Sequence, residues 1–430
     1  LAAMAAFLGR FLLVAGAVVA ALAALVGYLD QERIQEPVKL NWEGKFAFNY
    51  NSTDLRSPRT EGDIIAAVLE AGSQNRRVKV IGSGHSWSDM AVPAQGEEDE
   101  LPPLVISLHR FNRVIEIDAA AMTVTVQSGL RLRELANALD AHNPPLALSN
   151  MPSIDEQTIG GVLATATHGS GPSWPNLATL VTSYRLVLAN GTVLSLAAAS
   201  PDPEARRLFR ATVVGLGAFG VASEVTLRVE PSFDLEVHQQ PVLDSDLFHN
   251  WTALSHGADY VKFWHVPHTG YSVVFSANRT HSTPRREPIP RPLGVLFSAA
   301  VKSLQDLASY FPSLTLPVNV LLRVVGFAPL RRVARWDRGL VIPFPVPVHA
   351  EMEYSVPAQE GPALLGFLWH LIHGEGLLLN HIVEVRFVAG DDLWLSPNFG
   401  RRESCHITVL VPRSRGQRTI DALFRRLERH

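Results

Sequence analysis

From about Phe46 onward, the apolar positions of the chain switch between helical and strand spacing. Ile64, Ile65, Val68 and Leu69 recur at helical intervals behind Thr60 and Asp63, a pair able to cap a helix reciprocally. Val78-Lys79-Val80-Ile81 reads as a buried strand entering a glycine turn. Val114–Ile117 and Met122–Val126 read as two short β runs, and Leu132, Leu135, Ala136 and Leu139 as the next helix. Tyr184–Leu194 is expected to be a hairpin with Asn190-Gly191 at its tip. Leu216–Val229 joins a glycine-punctuated turn to a strand alternating at Val225, Leu227 and Val229. Beyond Pro231, a plausible domain boundary, Pro284, Pro288, Pro290 and Pro292 punctuate a loop and Leu293–Phe311 reads as a helix. Strands return at Glu351–Val356 and His381–Val388. Strands and helices mix without a regular βαβ period, which predicts an α+β fold over a doubly wound sheet.

Ahead of this pattern, Phe11–Leu29 holds nineteen consecutive positions without a charge. As a helix rising ~1.5 Å per residue it covers most of a ~30 Å hydrocarbon core. It is longer than the ~7–15-residue apolar region of a secretory signal and lacks an obvious small-residue cleavage pattern, so residues 1–33 are expected to form a single-pass transmembrane helix, with a cleaved signal as the alternative. The flanking charges Arg10, Asp30, Glu32 and Arg33 favour a catalytic bulk across the membrane, with the lumen of the endoplasmic reticulum as the expected location. Sequons at Asn51, Asn190, Asn250 and Asn278 are compatible with that side.

Composition narrows the classes. In 430 residues, 38 Lys and Arg nearly balance 41 Asp and Glu, so no basic excess points to nucleic acid. Cys405 is the single cysteine, which excludes an internal disulfide framework and a cysteine metal cluster.

Two segments carry candidate chemistry. In Gly82-Ser83-Gly84-His85-Ser86 the glycines let backbone N–H groups approach a phosphate closely. The third glycine of a dinucleotide fingerprint is replaced by Trp87, which disfavours a nicotinamide enzyme on a Rossmann domain. Taken alone, His85 reads more readily as a structural histidine. The second segment, Glu156–Leu177, gathers Thr158, Gly160, Gly161, Thr167, His168, Gly169, Ser170, Gly171 and Asn176. It suits a backbone cradle around a pyrophosphate, or equally a glycine-rich surface loop. Further on, a strand of period two puts Ile382, Glu384, Arg386 and Val388 on one face and Val383, Val385 and Phe387 on an apolar one. Glu384 and Arg386 are then either a solvated ion pair or the wall of a polar cavity. The pattern admits both.

Together these segments resemble the FAD-binding domain of the vanillyl-alcohol-oxidase flavoprotein family, within it the sugar-lactone and alditol oxidase branch. The resemblance implies a two-subdomain FAD-binding domain over 46–231 and an α+β substrate (cap) domain over 232–430. It implies FAD held by Val80, Ile81, Gly82, Ser83, Gly84, His85 and Ser86, by Thr158, Gly160, Gly161 and Thr167 through Gly171, and by Asn176, Leu177 and Val221. The last belongs to the turn Gly215–Val221, which closes over the adenine side in the family. His85 is implied as a covalent tether to the flavin. Glu384 is implied to fix substrate hydroxyls, and Arg386 to stabilise negative charge on substrate oxygen or reduced flavin. The implied substrate is a sugar-1,4-lactone or polyol, giving hydride to flavin N5, with O2 reoxidising the flavin to yield H2O2. A dehydrogenase using another acceptor is the nearest alternative. The chain ends at His430 without the His-Trp-(Ala/Gly)-Lys of that branch, implying truncation or loss of that lysine's role. A membrane-anchored homologue that has lost catalysis is the reading of another class.

Overall fold

The computed structural model describes residues 41, 48, 50–88, 101–280, 291–341, 349–412 and 417–428. Among the described residues of the first half there are ten short strands: β1 Leu55–Arg56, β2 Val78–Ile81, β3 Leu104–Ser107, β4 Val114–Asp118, β5 Thr123–Gln127, β6 Leu146–Ala147, β7 Val181–Val187, β8 Val193–Ala197, β9 Val221–Arg228 and β10 Glu230–Pro231. They make a parallel sheet ordered β1-β3-β2, an antiparallel sheet ordered β4-β5-β9-β7-β8, and the pair β10-β6.

Local sequence explains the elements. Helix Glu61–Ser73 starts at Thr60, whose Oγ1 accepts from Asp63 N at 3.1 Å while Asp63 returns a carboxylate oxygen to Thr60 N at 2.9 Å. Its buried stripe, Ile64, Ala67, Val68 and Ala71, packs on Leu104 and Ile106 of β3. The hairpin β7–β8 turns at Asn190-Gly191, where Gly191 has φ 79°. β2 runs into Gly82–Ser88, a non-helical turn throughout, so the helix that opens within the glycine turn of a dinucleotide fold is not found over 82–88.

The second half supplies β11 Asp234–Leu243, β12 Tyr260–Val266, β13 Tyr271–Thr280, β14 Leu330–Arg335, β15 His349–Pro357, β16 Val383–Ala389 and β17 Glu403–Pro412. They form one antiparallel sheet ordered β14-β11-β13-β12-β16-β17-β15. One face is apolar. Val261, Phe263, Val383, Val385, Phe387 and Ile407 are buried there with Leu365, Leu368 and Ile372 of helix Gly361–His373. Trp251, Phe263 and Phe387 meet edge to face with centroids 5.1–5.7 Å apart. Each such fully buried side chain contributes about 1.5–3 kcal/mol of transfer free energy, so this face fixes the strand register and turns the opposite, polar face toward the first half. The α+β expectation agrees with this mixture of parallel and antiparallel sheets.

The expected anchor, residues 1–33, lies outside the described residues. Among the described residues no helix is long and apolar enough to cross a membrane.

Candidate active site

A cavity of about 1470 Å³ opens between the turn after β2, the segment following Gln157, the turn at 215–221 and the polar face of the seven-stranded sheet. That exceeds the ~300–1,000 Å³ of ordinary small-molecule pockets and suits a dinucleotide plus a substrate. Val80, Ile81, Gly82, Ser83, Gly84, His85 and Ser86 line it, as do Thr158, Gly160, Gly161, Thr167, His168 and Val221. Glu384 and Arg386 line it too, so the structure brings the two sequence segments and the charged strand onto one space.

The glycine-turn end is built for close backbone approach. A Cβ on Gly82 would collide with Thr158 Oγ1, and Gly84 sits at φ 75°, which favours glycine. Ser83 Oγ and Gln157 Oε1 are buried there without a hydrogen-bond partner among the described residues. Unpaired buried groups of this kind are rare in native proteins and mark places where a polar ligand belongs. FAD, with its pyrophosphate and polar ring edge, fits that donor and acceptor set. Burial, then the charge of Arg131, pushes His85 down to about 4, so its imidazole is neutral at pH 7.

At the sheet end, cross-strand pairing assembles a charged wall. Arg386 on β16 faces Lys262 on β12 and His406 on β17, while Glu384 faces Trp264 and Thr408. Thr408 in turn faces Glu353 on β15. Period two on four strands therefore directs Lys262, Trp264, Glu384, Arg386, His406, Thr408 and Glu353 to one face. Glu384 Oε1 takes Trp264 Nε1 at 2.9 Å, Lys262 Nζ at 3.3 Å and Ser153 Oγ at 3.5 Å. Glu353 takes Arg386 in a short ion pair, Thr408 Oγ1 at 2.6 Å, and His168 Nε2 and His406 Nδ1 at 3.3 Å each. Arg386 Nε stands 3.6 Å from Glu384 Oε2. The surface-pair reading of Glu384 and Arg386 is excluded by this geometry, since their side chains are 11% and 13% exposed.

Burial pushes both carboxyls up, but the neighbouring cations outweigh it. Arg386 and the two imidazoles hold Glu353 well below the usual range, and Lys262 with Arg386 holds Glu384 below it. Burial in turn lowers Lys262 against the pull of Glu384. His406 is pushed down to about 4 by burial and then by His168, which outweigh Glu353. The wall thus presents ionised carboxylates, a guanidinium and a neutral imidazole.

Five residues expected at the cofactor do not line the cavity. Gly169 lies against Asn150 and Met151, where a Cβ would clash with both. Ser170 Oγ donates to Val261 O and accepts from Phe387 N, and Gly171 N donates to Phe387 O at 2.7 Å. A Cβ on Gly171 would come within 2.6 Å of Asp259 O and Trp174 Cδ1. Asn176 donates to Asp391 Oδ2 at 2.7 Å and to Ser396 Oγ at 3.2 Å, and Leu177 is in the core. Past His168 the loop docks on protein: Gly169 against Asn150 and Met151, Ser170 and Gly171 against β12 and β16, and Asn176 against the segment after β16.

Glu353, His406, Thr408, Lys262, Trp264 and Ser153 had not been assigned roles from the sequence. Glu353 shares a strand face with Glu351, two residues away, which is a usable signal. The others depend on register across strands far apart in sequence.

The fold and site define an FAD-dependent oxidoreductase. Residues 55–197 match the FAD binding domain family and residues 225–430 match D-arabinono-1,4-lactone oxidase. The chain is 29% identical over 387 residues to an L-gulono-1,4-lactone dehydrogenase of Mycobacterium tuberculosis, covering 87% of this chain and 82% of that protein. It is 29% identical to an L-gulonolactone oxidase of Scyliorhinus torazame, covering 84% and 79%. A D-arabinono-1,4-lactone oxidase of Eremothecium gossypii is 31% identical over 56% of this chain and 43% of its own length. Among solved structures, a solvent-stable cholesterol oxidase superposes with TM-score 0.70 at 19% identity, covering 91% of this chain and 82% of its own, a likeness of fold. The chain belongs to the FAD-linked oxidases of the vanillyl-alcohol-oxidase type, in their sugar-lactone oxidase branch.

Proposed function

We propose that the chain oxidises a hydroxyl-bearing carbon of a sugar-1,4-lactone, or a related polyol, at the charged wall of the cavity. The observation that carries the reading is the shared cavity: a cradle suited to FAD at Gly82–Ser86 and Thr158–Gly161, and a buried wall of Glu353, Glu384 and Arg386 opposite it. FAD bound there supplies the two-electron acceptor for the substrate's hydride. Glu384, an ionised acceptor, fixes substrate hydroxyls. Arg386 stabilises negative charge on substrate oxygen as its proton leaves, and Glu353 holds the guanidinium in place. Several buried ionised groups are costly to a fold, which supports retained catalysis over a homologue that has lost it.

His85 is the residue proposed to tether the flavin covalently; its neutral imidazole has a lone pair to give. Oxygen is the proposed final acceptor, yielding H2O2. The mycobacterial relative, an L-gulono-1,4-lactone dehydrogenase, supports the second reading, a dehydrogenase using another acceptor. The nineteen-residue uncharged run Phe11–Leu29 supports a membrane anchor with a lumenal catalytic bulk. Steady-state turnover with L-gulono- and D-arabinono-1,4-lactone, followed both by oxygen uptake and by dye reduction, tests the proposal. Turnover with O2 alone supports the oxidase, and turnover only with dye the dehydrogenase. No turnover with either acceptor refutes the lactone assignment.

A further inference from the structure

On the sheet face turned away from the cavity, three side chains converge that the oxidation does not use. Asp244 opens helix Asp244–His249, His265 lies near the end of β12, and His373 closes helix Gly361–His373. His265 alternates with Trp264 and so shares the apolar side with Val261 and Phe263. One ligand atom from each of the three lies within 4.8 Å of the other two, and the two imidazole centroids are 6.0 Å apart. His265 Nδ1 is 3.2 Å from Asp244 Oδ1. Ser272 Oγ at 2.8 Å and Trp369 Nε1 at 3.2 Å fix the same carboxylate.

The second observation is what remains unspent. His265 is 1% exposed, yet its Nε2 has no hydrogen-bond partner among the described residues, and neither has Nε2 of His373. Each such orphan costs about 1–3 kcal/mol. Nδ1 is the nitrogen of His265 turned into the cluster, so an ion bound there takes the Nδ1 lone pair and leaves the ring proton on Nε2, while His373 brings an imidazole whose Nε2 has no competing partner among the described residues.

We propose that Asp244, His265 and His373 bind a divalent transition-metal ion, Zn2+ being the one best matched to two imidazoles and a carboxylate. Two imidazoles bonded at ~2.0–2.1 Å to one tetrahedral ion have ring centres about 5 Å apart. The observed 6.0 Å closes with small side-chain rotations. The other histidine–carboxylate group, His168, Glu353 and His406, is unsuited, because Arg386 is already paired with Glu353 and repels a second cation. Asp244 is met instead by a hydroxyl, an indole N–H and an imidazole. The ion would brace helix Gly361–His373 against β12, the strand that carries Lys262 and Trp264 on its other face. A fourth position is left for water beside half-buried His373.

The test uses the full-length flavoprotein, stripped with a chelator and re-equilibrated with Zn2+. Bound zinc is counted by elemental analysis, and thermal unfolding is followed with and without the metal. The expected result is about one Zn2+ per chain, a higher Tm with metal, and at least ~10-fold weaker binding in H373Q and D244N. H370Q, at an exposed position on the same helix, should bind as the parent does. Should D244N fail to fold, H373Q decides. Failure of the parent to bind zinc, or undiminished binding by H373Q, overturns the site.

Discussion

Replacing Lys262 with methionine should expose what holds the charged wall together. Lys262 Nζ lies 3.3 Å from Glu384 Oε1, with the two side chains only 3% and 11% exposed. At an effective dielectric of about 20, that separation corresponds to about 5 kcal/mol of attraction. Methionine preserves much of the stem's packing and removes the cost of desolvating an ammonium, so the net loss is smaller. Glu384 also keeps Trp264 Nε1 at 2.9 Å and Arg386 at 3.6 Å. Both points favour the lower end of what breaking a buried pair costs, about 3 kcal/mol. Burial already pushes the Glu384 carboxyl up, and Lys262 leads the groups that hold it down, so in K262M this carboxyl should titrate higher. E384Q strands the ammonium and should cost a similar amount. The double variant K262M/E384Q removes both charges, and its cost should fall short of the sum of the single costs by about 2 kcal/mol or more. Urea unfolding of the four proteins at neutral pH measures this coupling. Additive costs, within about 0.5 kcal/mol, would refute the claim that the pair is a linked element of the wall.

Acid precipitation should leave yellow colour with the pellet of the parent protein, and His85→Ala should release it or prevent FAD incorporation; a yellow supernatant from the parent would refute the tether. Burial, then the charge of a neighbouring histidine, depresses both His406, to about 4, and His381. Against ~6.5 in the unfolded chain, the unfolded state takes up these protons first as pH falls. Stability is therefore full above about 6.5 and is lost as pH falls, toward 4 for His406, by about 1.4 kcal/mol per pH unit for each imidazole while it is the unfolded state that takes up the proton. A Tm that stays flat between pH 7 and 5 would contradict this. Deletion of residues 1–33 should move the protein from the membrane to the soluble fraction, and a parent that is soluble without detergent with its N-terminus intact would refute the anchor.

Much of the architecture was legible because it is local. The capping pair Thr60 and Asp63, the Asn190-Gly191 turn and the two faces of 383–388 are set by neighbours in sequence, and all three recur in the structure. The tight glycine turn at Gly82–Ser86 was legible for the same reason. The remainder of the wall was not. Lys262, Glu353 and His406 reach Glu384 and Arg386 only through the order β12-β16-β17-β15, and pairing order is not written in any one strand. The packing of Gly169–Gly171 was not legible for a related reason. Glycine reports close approach, and the sequence does not say whether phosphate or, as at Gly169 and Gly171, another part of the protein is what approaches.

The central claim is that Arg386, in the wall opposite the FAD cradle, drives lactone oxidation. Anaerobic stopped-flow mixing of the flavin-loaded protein with L-gulono-1,4-lactone tests it most directly. The parent's flavin absorbance should bleach in a single turnover, and R386A should bleach at least ~10²-fold more slowly with flavin content unchanged. A parent flavin that dithionite bleaches but no lactone does, or an R386A variant reduced as fast as the parent, would contradict it.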